Sequence, residues 1–288
     1  MSDFAVRLRI IILGILIVVS ILVWWPQNVT GAKPINNLKV SFLDVGQGDA
    51  IHIVTPDNFE MLIDGGQTSS VLSELAKGRS FFDKEIDVMI STHPDSDHVA
   101  GLVDVLERFK VDMIIATEAE SDAAAAVAFN NAAASEGARR VVAQAGQTVQ
   151  LGASTTVYLL SPLGNTRDWE TNTASVVVVV KYGETEFMLT GDAPETIEKY
   201  LVNQHGTTLQ SEVLKLGHHG SKTSSSEEFL KMVNPDYAIV SAGKDNRYGH
   251  PHQEVVERVL REDIKLINTA ERGTIIFESD GEKVWLVE

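Results

Sequence analysis

The chain has 288 residues, 44% of them hydrophobic, no cysteine and a formal net charge of −16 at pH 7. The missing cysteine excludes a disulfide framework, thiolate-bound zinc and a thiol nucleophile. The negative charge excludes a strong non-specific hold on nucleic acid, so any such contact must be local, while the length suffices for one large domain with a substantial core.

At the N-terminus Arg7 and Arg9 precede an unbroken apolar run from Ile10 to Trp25. A membrane span needs roughly 20 residues. Phe4, Ala5 and Val6 extend the run if the arginines snorkel, and Trp24 and Trp25 suit the far interface. The expectation is a transmembrane helix over residues 1–25, a polar tether over 26–37 and an enzyme domain over 38–288. The basic flank places that domain on the extracytoplasmic side, anchored by a single pass. The competing reading is a cleaved signal peptide and a secreted domain, for which Thr30-Gly31-Ala32 offers a poor cleavage site.

Val40 to Ile53 and Asn58 to Ile63 read as strands, the second running into Asp64-Gly65-Gly66. Ile86 to Ile90 is an apolar run, and Val99, Leu102, Val103 and Leu106 follow at helical spacing. Between them lies Ser91-Thr92-His93-Pro94-Asp95-Ser96-Asp97-His98, a short loop with two histidines and two aspartates in six residues. That density of imidazole and carboxylate suits a divalent cation of zinc or manganese type. A helix start capped by Asp97 would need one carboxylate and no histidine.

Ser121 to Ser135 is an Ala-rich helix ending at Gly137, and Thr155 to Leu160 is a strand. Ser175 to Val180 and Glu186 to Thr190 form two strands around a turn, the second ending in Gly191-Asp192. Glu212 to Leu216 is a strand followed by Gly217-His218-His219-Gly220-Ser221, where the glycines permit unusual backbone angles. Ser225-x-x-Glu228 is a capping box for a helix through Met232. Tyr237 to Val240 is a strand, and Gln253 to Glu262 is a helix with Val255, Val256, Val259 and Leu260 inward. Gly249-His250-Pro251-His252 opens that helix, so its histidines and free backbone N–H groups form a phosphate-binding corner. Asp280-Gly281 turns a closing hairpin between Thr274 to Glu278 and Lys283 to Val287. The alternation of strands and helices is that of an α/β architecture.

The order Asp64-Gly65-Gly66, His93-x-Asp95-x-Asp97-His98, Gly191-Asp192 and His218-His219-Gly220 resembles the metallo-β-lactamase superfamily, whose usual second motif is H-x-H-x-D-H. Aspartate at the second ligand position resembles the ComEC-like branch, the soluble domain of a competence channel protein and its stand-alone relatives. Phe42-Leu43-Asp44-Val45-Gly46-Gln47-Gly48-Asp49-Ala50 and Gly249-His250-Pro251-His252 support that branch. The resemblance covers about Leu38 to the C-terminus.

It implies a four-layer αββα sandwich with two divalent metal ions, zinc or manganese, along one edge. One ion would take His93 and Asp95. The other would take Asp97, His98 and one of the paired histidines, His219 being favoured because the family's last ligand commonly precedes Gly or Ser. Asp192 would bridge the ions, and Asp64 would hold the ligand loop. One departure is plain: no histidine lies between His98 and His205, where the family's third motif supplies a ligand. Asn172 and Ser175 stand in its place as weak ligands.

The implied function is a metal-dependent phosphodiesterase or nuclease that attacks with activated water. Its substrate would be a phosphodiester, single-stranded DNA among the candidates. Asp97, His218, His250 and His252 are the candidate catalytic residues. Lys215, Lys222, Lys244 and Arg247 fall near the motifs and are candidate phosphate contacts. The alternative is a binding or scaffolding module with a degenerate site, supported only by the absent third-motif histidine.

Overall fold

The computed structural model describes residues 12–14, 37–77, 79 and 83–287. Every element below lies in the compact unit Asn36–Glu288. The chain begins with β1 (Leu38–Phe42), β2 (Ile51–Val54), β3 (Glu60–Ile63), α1 (Ser70–Ala76), β4 (Glu85–Ser91), α2 (Ser96–Leu106), β5 (Lys110–Ala116), α3 (Ala124–Ser135) and β6 (Arg139–Val142). It continues with β7 (Thr148–Leu151), β8 (Thr155–Ser161), β9 (Val177–Tyr182), β10 (Thr185–Leu189), α4 (Glu195–His205), β11 (Val213–Lys215), α5 (Glu227–Val233) and β12 (Tyr237–Val240). The last elements are α6 (Gln253–Arg261), β13 (Lys265–Asn268), α7 (Thr269–Arg272), β14 (Ile275–Ser279) and β15 (Val284–Leu286).

The strands form an eight-stranded sheet, ordered β15-β14-β1-β2-β3-β4-β5-β6, and a seven-stranded sheet, ordered β13-β12-β11-β10-β9-β8-β7. Strand alternation explains why the two sheets pack. In β9, Val178 and Val180 face the other sheet, while Val177 and Val179 face helices. A strand buried on both faces reads as a continuous apolar run. Phe42, Ile53, Val88 and Ile90 of the first sheet meet Val178, Phe187 and Val213 of the second in the central core. Val99, Leu102 and Val105 of α2, with Phe129 of α3, cover the first sheet's outer face. Leu201 of α4, Phe229 of α5 and Val255 of α6 cover the outer face of the second. The result is the helix–sheet–sheet–helix layering that the resemblance implies.

Strands β3 to β6 run parallel to one another, as do β10 to β13. Parallel strands deliver their following loops to one edge of a sheet. The loops after β3, β4, β10 and β11 therefore carry Asp64, the His93–His98 cluster, Asp192 and the His218–His219 pair to common ground.

Four expectations change. Leu260, expected to face inward on α6, is 57% exposed. The single strand over Val40–Ile53 is two antiparallel strands, β1 and β2. The polar loop between them reverses direction with Gly46 and Gly48 at φ 78° and 106°. The cap of α5 is Ser226, which accepts from Phe229 N–H (3.3 Å), rather than Ser225. The membrane-anchored, extracytoplasmic placement is also overturned: among the described residues no helix is long and apolar enough to cross a membrane. The longest element of these layers, α3 at 12 residues, falls well short of the roughly 20 that a span needs. Apart from residues 12–14 and Asn37, the Ile10–Trp25 run and its polar tether lie outside the described residues.

One close approach fixes α2 against the first sheet. A Cβ added at Gly101 would lie 2.0 Å from Gly65 O, and Gly101 N–H donates to Gly66 O (3.0 Å). Gly101→Ala must push the loop after β3 off the helix, an overpacking cost of about 1–3 kcal/mol. Urea denaturation should show a lower midpoint. An unchanged midpoint would mean that loop and helix separate without cost.

Candidate metal centre

The His93–His98 cluster begins where β4 ends. Asp95 is the N-cap of α2 but makes no capping bond, and Asp97 lies in the first helical turn. Neither carboxylate is occupied by capping. His93 and His98 are fully buried.

Asp64 orients both rings. Its Oδ1 accepts Thr92 N–H (2.8 Å) and its Oδ2 accepts the Thr92 hydroxyl (2.6 Å). The Thr92 hydroxyl, with its hydrogen spent, receives His93 Nδ1–H (3.0 Å). His98 Nδ1–H donates to Asp64 Oδ2 (2.8 Å). Each ring is thereby turned with Nε2 toward the site, because the bond made by one nitrogen sets the role of the other. Asp64 does this from a left-handed backbone, φ 57°.

Asp192 is where the rings converge. Its Oδ2 lies 3.3 Å from His98 Nε2, 3.5 Å from His219 Nε2, 3.8 Å from His218 Nε2 and 3.9 Å from His93 Nε2. His219 Nε2 is also 3.4 Å from Asp97 Oδ2, and His93 Nε2 is 3.7 Å from Asp95 Oδ2. His218 and His219 both adopt left-handed backbone, φ 49° and 55°. Non-glycine residues held there carry strain that the surroundings must maintain. His93 Nε2, His98 Nε2, both His219 nitrogens and Asp192 Oδ1 are buried without a hydrogen-bond partner. Buried polar atoms rarely remain unpaired, so this donor set fits a bound cation. Asp49, His98, Asp192 and His219 form a buried group of four possible metal ligands.

Charges follow from that crowding. Burial lowers His98, but Asp192 and Asp64 override it and hold the ring well above its ordinary value. Burial also opposes protonation of His219, yet Asp192 and Asp49 bring it up to about 9. His93, buried beside His98, falls to about 3. Burial would raise the Asp97 carboxyl, but His219 and His98 hold it well below the usual range. Burial raises Asp95.

The remaining expected residues separate into groups. Ser175 stands behind His93, its Oγ 3.5 Å from Nδ1 and accepting Asp192 N–H (3.2 Å), so it buttresses rather than faces the open side. Asn172 Oδ1 is buried with no partner. His218 Nδ1 lies 3.2 Å from Thr223 Oγ1, and His250 packs edge-on against His218 at 5.5 Å. Burial and the neighbouring His219 and His218 lower His250 to about 4, and burial lowers His218. His252 Nδ1 accepts Lys222 N–H (3.0 Å), which leaves its proton on Nε2.

Two residues play parts that the sequence reading did not give them. Asp49, 1% exposed, has Oδ1 3.4 Å from His219 Nδ1. Lys215, expected at the phosphate, is fully buried; it pairs with Asp49, donates to Gly191 O (3.0 Å) and lies 3.7 Å from Asp192 Oδ1. It compensates buried carboxylates and does not reach solvent. The available signals were a lysine inside the apolar run Val213-Leu214-Lys215-Leu216 and a carboxylate in a glycine-rich turn. The turn depends on Gly48, where a Cβ would lie 1.9 Å from Asp97 O.

The description "Metallo-beta-lactamase superfamily" matches residues 43–244. The chain belongs to this superfamily. Among curated relatives, ComE operon protein 3 of Bacillus subtilis (strain 168) is 32% identical over 258 residues, covering 82% of this chain and 32% of the relative. Competence protein ComA of Neisseria gonorrhoeae is 34% identical over 251 residues, covering 85% and 33%. The chain thus spans about a third of the length of these relatives, and the similarity is to ComEC-like competence proteins. The superfamily fold is shared with YhfI of Bacillus subtilis, at 12% identity and TM-score 0.60 over 84% of this chain and all of that one. Zn(2+)-bound PqqB of Methylobacterium extorquens shares it at 15% identity and TM-score 0.53, over 77% and 85%.

Behind the site the loops after β10 and β11 are fastened together. Glu198 of α4 accepts Ser225 N–H (2.5 Å) and Ser226 N–H (2.8 Å), and the Ser224 hydroxyl donates to Ala193 O (2.9 Å). Burial pushes Glu198 from 4.5 up to about 7. A folded value above the unfolded one favours the protonated folded state, so this contribution is fully present below pH 4.5 and lost as pH rises through about 7. Glu198→Ala should cost about 1–3 kcal/mol by stranding two N–H groups and flatten the stability profile across that window. Urea midpoints against pH test this, and a variant profile parallel to wild type would contradict it.

Proposed function

We propose that this protein is a metal-dependent phosphodiesterase or nuclease, with single-stranded DNA as its leading substrate. The observation that carries this reading is the convergence of four imidazole Nε2 atoms, at 3.3–3.9 Å, on the single oxygen Asp192 Oδ2. In this reading one cation would be held by His93 and Asp95, with Asn172 as a weak additional oxygen. A second would be held by Asp97, His98 and His219, and Asp192 would serve both. Imidazole with carboxylate suits zinc, and the oxygen-rich first position suits manganese. Such cations, when bound, supply an activated water and stabilise charge on phosphate oxygens.

The chain's own groups do the positioning. Asp64 orients His98 through its Nδ1 atom, a support that metal-binding histidines commonly need, and the Asp49 carboxylate faces His219 Nδ1 at 3.4 Å. His218 and His250 are lowered and neutral near pH 7, so each offers an N–H to a phosphate oxygen without adding charge. His252 presents Nε2–H beside them. The name "Competence protein" among the relatives, together with "Recombination protein 2" of Haemophilus influenzae at 41% identity over 104 residues, supports DNA over a small phosphodiester.

Elemental analysis beside hydrolysis of bis(p-nitrophenyl) phosphate and single-stranded DNA, with manganese or zinc added, tests the assignment. Asp97→Asn and His98→Ala should lose an ion and all turnover with the fold retained. His250→Ala should keep its ions while turnover falls by about 10²-fold, the scale for losing one oriented donor. Full activity in Asp97→Asn or His98→Ala would sink the assigned site.

A further inference from the structure

A ladder of rings leads out of the metal centre along the loop after β12. His218, with Nε2 on Asp192, meets His250, and Tyr248 lies almost parallel to His250 at 5.7 Å and 23°. Tyr248 is 48% exposed. The Arg247 guanidinium lies 5.2 Å from the Tyr248 ring centre, and its Nη2 donates to the phenol oxygen (3.1 Å). The loop is stapled by one side chain. Asn246 Nδ2 donates to Gly243 O (2.8 Å) and His250 O (2.7 Å), while its Oδ1 accepts His250 N–H (2.9 Å). The exposed ring is therefore held in place beside the proposed reaction centre. Lys222, Lys244 and Arg247 are exposed on this rim and enter no ion pair among the described residues.

We propose that Tyr248, flanked by Arg247, is the stacking platform for the base of the nucleotide next to the scissile phosphate. This rests on the phosphodiesterase reading and makes the substrate a single-stranded nucleic acid. The charge balance favours stacking over field attraction. A chain of net charge −16 repels a polyanion at a distance. Base–aromatic stacking is insensitive to that repulsion, tolerates any base and requires a base with an open face. The three rim cations then contribute only a small local electrostatic hold.

The test is fluorescence anisotropy of the full chain with a short labelled oligothymidylate carrying hydrolysis-resistant phosphorothioate linkages, beside its abasic counterpart. Wild type should prefer the base-bearing strand by about tenfold or more. Tyr248→Ala should abolish that preference with metal content and melting unchanged, and Tyr248→Phe should restore it. Arg247→Ala should make the salt dependence shallower by about 0.7 in log–log slope, whereas Tyr248→Ala leaves the slope alone. Equal wild-type affinity for the two strands, or an undiminished preference in Tyr248→Ala, overturns the platform. Wild-type hydrolysis of bis(p-nitrophenyl) phosphate, measured in parallel, separates the two ideas. Base-dependent binding without hydrolysis supports the platform and sinks the hydrolase reading; hydrolysis without base dependence sinks the platform alone.

Discussion

A buried carboxylate oxygen facing four imidazole nitrogens is the constraint around which this molecule is arranged. Asp192 is 3% exposed, and an ionised carboxylate removed from water is tolerated only when compensated by nearby charge and hydrogen bonds. Lys215 compensates from beneath, at 3.7 Å from Oδ1. The imidazoles compensate from above, with His219 raised to about 9 and His98 held well above its ordinary value by Asp192 and Asp64. Protons and divalent cations compete for the same nitrogens in such an arrangement, so metal affinity should weaken as the medium becomes acidic.

The fold meets that constraint by bringing strand ends together and then restraining them. No single loop contains the set. Asp49 precedes β2, Asp64 follows β3, the His93–His98 cluster follows β4, Asp192 follows β10 and the histidine pair follows β11. Asp64, His218 and His219 each take left-handed backbone, a local cost accepted where side chains must be aimed. Gly48 and Gly101 allow backbone contact that no side chain would permit. Glu198 and Ser224 tie the loop after β10 to the loop after β11 from behind. The two sheets supply a rigid base, and Asp64, His218 and His219 place left-handed backbone on the edge where the chemistry is proposed.

Much of this was legible in the sequence because the informative residues sit in short polar clusters at the ends of apolar strands. His93-x-Asp95-x-Asp97-His98 and His218-His219 announce themselves against runs such as Ile86–Ile90 and Val213–Leu216. The layers were legible from β-branched runs, the signature of strands covered on both faces. Asp49 was less visible because a lone carboxylate after a glycine-rich turn looks like an ordinary turn residue; its meaning lies in its distance to His219, set by sheet packing. Lys215 was misread for the same reason. Its closeness in sequence to His218-His219 suggested a phosphate contact, whereas its neighbours in space are Asp49 and Asp192. The apolar N-terminal run has the composition of a membrane span, but composition does not itself establish a spanning helix, and among the described residues none is found.

Asp192, as the shared support of a two-cation centre, is the residue on which everything proposed above depends. Elemental analysis of the purified full chain beside Asp192→Asn, each supplied with manganese or zinc and then freed of loosely held metal, tests this directly. The account predicts two tightly held ions per wild-type chain and loss of both in Asp192→Asn, whose neutral amide cannot anchor the pair, with the fold preserved by circular dichroism. A wild-type chain that retains no metal, or an Asp192→Asn chain that retains both ions, would contradict it.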